Sequence, residues 1–86
     1  MSDKASIVHF LITALEKKRG PVPGADAATQ ERYRYLDGGH VDSFGLLHFI
    51  MEIEAEYGIT LTAEDTQSDE FRWIGGLAGL IAGKLG

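Results

Sequence analysis

A serine beside an aspartate is the pair of side chains in this sequence whose types and spacing best suit chemistry. Ser43 follows Asp42 directly, and a turn-forming Asp-Gly-Gly segment at residues 37–39 precedes them. Both residue types favour the start of a helix, where the first backbone N–H groups lack acceptors. A hydroxyl there is exposed, and an anion attached to it would be stabilised by those N–H groups and by the helix dipole. The pair therefore predicts either an ordinary helix cap or a covalent modification site at Ser43.

The histidines suggest two further chemistries, a base for a serine nucleophile and a metal site. His40 is near enough in sequence to reach Ser43, whereas His48 lies about 140° around a helix from it. Nothing in the sequence indicates an oxyanion hole or a pocket. The three histidines, with His9, lack the spacing of a helical metal site, and the chain has no cysteine. We therefore expect no catalytic residue and no metal ligand.

The elements that must position Ser43 are helices. Apolar residues recur at helical spacing, and Gly20 and Gly58 are expected to end the first two long helices. The fold class predicted is all-α, a free-standing single domain over residues 1–86, built as a bundle of three main helices with one short helix. The loop before Ser43 has room for a short helical turn at 26–33. The predicted elements are a first helix at about 3–18, a loop at 20–42, a second helix at about 43–57, a short helix at about 66–71 and a last helix at about 74–84.

The second helix carries more apolar residues than one buried face of a small bundle needs. The arc taken as its core face holds Leu46, Ile50, Ile53 and Tyr57, with Phe49 on its far flank. A second stripe, roughly 110° away, holds Phe44, Leu47 and Met51. Burial of all these side chains is one interpretation. The other is that the second stripe is a docking surface flanked by Asp42 and Glu54, because exposed apolar residues rimmed by charge are a common interface design.

Four segments in order resemble acyl carrier proteins. Residues 36–47 (LDGGHVDSFGLL) resemble the family's modification site, in which an Asp-Ser-Leu or Asp-Ser-Phe triplet opens the second helix. The later segments are similar to the end of that helix, the acidic loop after it and the approach to the last helix: residues 53–59 (IEAEYGI), 62–65 (TAED) and 69–77 (DEFRWIGGL). Each motif alone is short, but together they occur in register on an acidic chain of carrier size.

The resemblance implies a carrier and not an enzyme. A phosphopantetheinyl transferase would use coenzyme A and magnesium to attach a 4′-phosphopantetheine arm to Ser43. The thiol of that arm would then hold a carboxylic acid as a thioester. The implied partners are the transferase, an acyl- or aminoacyl-loading ligase and downstream acyl-processing enzymes. The implied recognition residues are Asp42, Phe44, Leu47, Met51 and Glu54.

Two alternatives to an acyl carrier stay open. D-alanyl and other aminoacyl carriers are similar over Asp-Ser-Phe-Gly at residues 42–45, and an unmodified acidic interaction module would keep the same fold. Gly45 and His48 stand where the best-known fatty-acid carriers are usually acidic. These departures favour a dedicated carrier, in polyketide or other secondary metabolism, over the housekeeping carrier of fatty-acid synthesis.

Charge and composition limit the classes of partner. The net charge is −5, and residues 37–71 hold nine of the thirteen acidic residues and none of the eight Lys and Arg residues. Binding to the phosphate backbone of a nucleic acid needs clustered Lys and Arg side chains, so we expect no nucleic-acid partner. We expect a protein partner with a basic surface instead, because opposite charges speed the encounter. No apolar run approaches the roughly 20 residues of a membrane span, and the first residues do not resemble a secretory signal. We expect a cytoplasmic monomer without a membrane span.

Overall fold

Three long helices dominate the computed structural model, which describes residues 3–86 and contains no strand in that range. The elements are α1 (Lys4–Arg19), α2 (Ala27–Glu31), α3 (Ser43–Tyr57), α4 (Ala63–Gln67), a 3₁₀ turn (Glu70–Arg72) and α5 (Ile74–Leu85). The all-α prediction is confirmed, and the long helices match their predicted bounds to within one residue at each end. The helical turn considered for residues 26–33 is present as α2. Met1 and Ser2 belong to the predicted domain but lie outside the described residues.

None of the helices in residues 3–86 combines the length and the apolar character needed to cross a bilayer.

The position predicted for the short helix, residues 66–71, is wrong. α4 begins directly after Thr62, because Thr62 and Asp65 form a capping box. The Asp65 N–H donates to Thr62 Oγ1 at 3.1 Å, and the Thr62 N–H donates to Asp65 Oδ2 at 2.9 Å. A separate 3₁₀ turn at Glu70–Arg72 follows α4. The segment is therefore two short elements that start earlier and end later than the single predicted helix.

Buried side chains from all three long helices form one core, which two aromatic residues outside those helices complete. Tyr35 comes from the loop before α3, and Phe71 comes from the 3₁₀ turn. The Tyr35 ring meets the rings of Phe49 and Phe71 edge-on, at centroid distances of 5.4 and 6.3 Å, and its hydroxyl donates to the Phe71 carbonyl oxygen. The fully buried large side chains are Ile7, Leu11, Leu15, Tyr35, Phe49, Ile53, Phe71, Ile74, Leu77 and Ile81.

The core face of α3 differs from the predicted arc. Its fully buried residues are Phe49 and Ile53. The remaining members of the predicted arc, Leu46, Ile50 and Tyr57, are only half-buried. The centre of the face is shifted towards Phe49 because Tyr35, from a distant part of the chain, packs against that ring.

Ion pairs fasten the loop before α3 to the 3₁₀ turn. Arg34 donates to Asp37 at 2.7 Å and to Asp69 at 2.9 Å, and Arg72 donates to Asp37 at 2.5 Å. The hydrogen bonds from Arg34 and then Arg72 hold the pKa of Asp37 below its ordinary value. A loop held in this way delivers residues 40–42 to the start of α3 in a defined position.

Candidate functional site

α3 begins at the residue pair that the sequence indicated. Asp42 is the N-cap, with extended backbone, and its Oδ1 accepts a hydrogen bond from the Gly45 N–H at 2.7 Å. The Asp42 carbonyl oxygen accepts from the Leu46 N–H, also at 2.7 Å. Ser43 is the first helical residue. The N–H groups of Ser43 and Phe44 precede those two donors, so they have no acceptor within the helix.

The Ser43 side chain is exposed at this helix end. Because the Asp42 carboxylate accepts the capping hydrogen bond, the cap does not depend on the Ser43 hydroxyl. The sequence left open whether the pair is a cap or a modification site, and the structure assigns the cap to Asp42. An exposed hydroxyl at the positive end of a helix is accessible to an enzyme that adds an anionic group.

Three large apolar side chains stand exposed on α3 directly after Ser43. Phe44 is 82% exposed, Leu47 56% and Met51 57%, and we call these three residues the exposed apolar row. They lie within about 60° of one another around the helix axis. The interpretation in which every apolar residue of this helix is buried is therefore wrong. Ala55, which the sequence analysis did not single out, is also exposed and extends the row by one turn.

The two acidic residues predicted to flank this row differ in accessibility. Asp42 is exposed at the start of α3. Glu54 is half-buried, and its Oε2 accepts a hydrogen bond from the Leu61 N–H at 2.9 Å. Glu54 therefore ties the segment after α3 back onto the helix, a role that the sequence pattern did not indicate. Of the two carboxylates, Asp42 is the more accessible to a partner.

Both ring nitrogens of His40 are engaged away from Ser43. The ring is buried, with Nε2 3.0 Å from the Gly20 carbonyl oxygen and Nδ1 3.2 Å from the Tyr33 hydroxyl oxygen. Because a carbonyl oxygen only accepts, Nε2 carries a proton, and in the neutral ring Nδ1 is then the acceptor for the Tyr33 hydroxyl. His40 thus holds the loop before α3 to the end of α1. His48 is exposed on α3, and residues 3–86 contain no group of three histidine or carboxylate side chains that could share a metal ion.

Comparison of the chain with known protein families, curated proteins and solved structures found no match. Interpretation of the site therefore depends on its own residues and geometry. These are an exposed serine at the first position of α3, an aspartate that caps the helix in its place, and an exposed apolar row on the same helix.

Proposed function

We propose that this chain is an acyl carrier protein with a 4′-phosphopantetheine arm on the hydroxyl of Ser43. The observation that carries the proposal is the exposed Ser43 side chain at the first position of α3, beside an aspartate that takes over the capping role. In this proposal the helices form an acyl-carrier-like bundle. The chain is a substrate and partner of enzymes and performs no catalysis itself.

The electrostatics at the start of α3 support a phosphate ester at this position. The N–H groups of Ser43 and Phe44 have no acceptor within the helix, and the helix dipole places a partial positive charge there. In the attachment reaction, Ser43 Oγ bonds to the phosphorus that carries the pantetheine, and the bond from that phosphorus to the bridging oxygen of the coenzyme A diphosphate breaks. The adenosine bisphosphate half of coenzyme A leaves, and the hydroxyl proton is released. A phosphopantetheinyl transferase with magnesium would catalyse this step. The first turn of α3 would then stabilise the negative charge of the product.

The arm would supply a functional group that the chain lacks. The sequence has no cysteine, so a thioester requires a thiol from an attached group. A loading ligase would activate a carboxylic acid and transfer its acyl group to that thiol. Downstream acyl-processing enzymes would then act on the thioester.

The exposed apolar row supports docking of these enzymes on α3. Apolar surface that remains exposed in the folded chain yields about 25 cal/mol per Å² when a partner removes it from water. Asp42 adds a negative charge at the end of the row nearest Ser43, so a partner with an apolar groove and a basic rim fits this surface. Docking there would bring the active site of the partner close to the arm.

A transfer assay with matched serine variants tests the proposal. Wild type, Ser43→Ala and Ser6→Ala are incubated with magnesium, fluorescently labelled coenzyme A and a transferase of broad specificity. Ser6 is the control, because it is also exposed in the first turn of a helix that begins with an aspartate cap, Asp3. The proposal predicts label on wild type and Ser6→Ala and none on Ser43→Ala. An unlabelled wild type, or a labelled Ser43→Ala, would refute it.

The same assay separates the two alternatives. An unmodified acidic interaction module would use the exposed apolar row without an arm and would stay unlabelled. An aminoacyl carrier, which residues 42–45 also resemble, would be labelled and would then accept amino acids from an adenylating ligase. Offering the holo protein both amino acids and fatty acids with candidate ligases decides between the cargo classes, and loading by fatty acids alone would exclude the aminoacyl carrier.

A further inference from the structure

Met51 places a sulfur atom on the surface of α3. Its side chain is 57% exposed and is one of the three members of the exposed apolar row. The chain has no cysteine, and its only other methionine is Met1. Before an arm is attached, Met51 therefore carries one of the two sulfur atoms of the chain. A thioether is a common target of oxidation in proteins, and an exposed one is accessible to a dissolved oxidant.

Oxidation by a peroxide would make this apolar side chain polar. A lone pair of Met51 Sδ bonds to one oxygen of hydrogen peroxide, and the oxygen–oxygen bond breaks. The departing hydroxide takes up the proton that the transferred oxygen loses, which gives water. The sulfur is oxidised by two electrons to the sulfoxide, and the peroxide is reduced by two electrons. Methionine sulfoxide reductases reverse the change.

The fold does not depend on the Met51 side chain. Within residues 3–86, Met51 belongs neither to the buried core nor to the partly buried residues packed against it. The residues that α3 buries fully are Phe49 and Ile53. A sulfoxide oxygen at position 51 therefore stays in water and needs no hydrogen-bond partner within the chain. The same change in a core methionine would disrupt packing.

Docking on the exposed apolar row does depend on this side chain. Around the axis of α3, Met51 lies between Leu47 and Phe44, about 40° from the first and 20° from the second. A partner that covers the row therefore removes position 51 from water. A sulfoxide oxygen would lose its hydrogen bonds to water there, and an apolar groove has no donor to replace them. Oxidation would therefore weaken docking even where the area of contact changes little.

We propose that Met51 is a site of reversible oxidation by peroxides that controls docking on α3. The thioether permits docking of partner enzymes on the exposed apolar row, and the sulfoxide opposes it while the fold is kept. The inference rests on the proposed function, because it requires enzymes that dock on this row. Because Met51 is exposed, it is accessible to a peroxide and to a reductase in the folded chain.

The test treats the apo forms of wild type and Met51→Leu with hydrogen peroxide, removes the peroxide and then measures kcat/KM for transfer of the arm from coenzyme A. The apo forms are used because the thiol of an arm would itself be oxidised. Met51→Leu is the control, because it keeps an apolar side chain at position 51 and retains Met1. Each protein is compared with its own untreated form, which removes the effects of the substitution and of oxidation at Met1.

We expect the peroxide to lower kcat/KM of wild type about 5- to 50-fold and to change that of Met51→Leu less than about twofold. Mass spectrometry of peptides should show one added oxygen on Met51. The Tm of oxidised wild type should stay within about 4 °C of the untreated value, as for a change at an exposed position. Methionine sulfoxide reductases should restore the wild-type kcat/KM.

Equal ratios of treated to untreated kcat/KM in the two proteins overturn the inference, and so does a Met51 that takes up no oxygen. A larger fall in the Tm of oxidised wild type overturns it as well, because the slower transfer would then follow from damage to the fold. In all three cases attachment of the arm to Ser43 still stands. If untreated wild type receives no arm, the proposed function itself fails, and the role of Met51 in docking fails with it.

Discussion

Truncating one residue on each side of α3 should separate the stability of the fold from its function. Leu47 belongs to the exposed apolar row and is 56% exposed, whereas Ile53 is fully buried in the core. Leu47→Ala and Ile53→Ala remove similar apolar groups from the same helix. Ile53→Ala is therefore the control for truncating a side chain on the buried side of α3.

The expected losses of stability follow from burial. Full burial of a leucine side chain is worth about 1.5–3 kcal/mol, and less than half of the Leu47 surface is buried in the free chain, so Leu47→Ala should cost about 1 kcal/mol or less. Ile53→Ala leaves a cavity in the core and should cost about 2–5 kcal/mol. In a domain of this size, about 1 kcal/mol corresponds to a change in Tm of 4–8 °C.

Two measurements on each variant decide the outcome. Urea denaturation followed by far-ultraviolet circular dichroism gives the free energy of unfolding. The kcat/KM for transfer of the arm from coenzyme A measures recognition by a transferase of broad specificity. We expect Leu47→Ala to lower kcat/KM about 5- to 30-fold, the effect of losing 1–2 kcal/mol of contact at an interface. A loss of stability above about 2 kcal/mol in Leu47→Ala, or an unchanged kcat/KM, would refute the assignment of Leu47 to a docking surface.

Two further predictions concern the contacts that hold the fold together. Tyr35→Phe keeps the buried ring but removes the donor to the Phe71 carbonyl oxygen. It should therefore lower the free energy of unfolding by about 1–3 kcal/mol, measured by urea denaturation at an unchanged m-value. A loss below about 0.5 kcal/mol would argue against that hydrogen bond. The hydrogen bond from Lys84 lowers the pKa of Asp65 from 3.8 to about 2. The Asp65 carboxylate therefore stabilises the folded state fully above pH 3.8, and this stabilisation is lost as the pH falls through about 2. Asp65→Asn should therefore flatten the decline in the urea midpoint between pH 4 and pH 2, and a decline as steep as in wild type would contradict this role of Asp65.

The long helices and the start of α3 were predictable because their signals are local. The Asp42–Ser43 pair marked the first turn of α3, and the structure begins the helix there. Gly58 marked its end, and this residue adopts the left-handed conformation, with φ 64° and ψ 35°. The capping box of Thr62 and Asp65 is an equally local signal that would have placed α4 correctly had its spacing been used.

Features that depend on contacts between distant residues could not be predicted in the same way. Helix periodicity placed Phe49 at the flank of the buried arc, but Tyr35 packs against it and makes it central. The hydrogen bond from Leu61 to Glu54 likewise joins two segments whose separation in space the sequence does not specify. Helix periodicity predicted that the residues of the exposed apolar row share one side of α3. That no other part of the described chain packs over this side is seen only in the folded structure.

The most direct test of Ser43 as the attachment residue is mass spectrometry of the intact chain and of its peptides. The chain is incubated with coenzyme A, magnesium and a transferase that modifies a known carrier under the same conditions. We predict the addition of one phosphopantetheine group, located on Ser43 in the peptide that contains it. An unchanged mass, or the added group on any other residue, would contradict the proposed function.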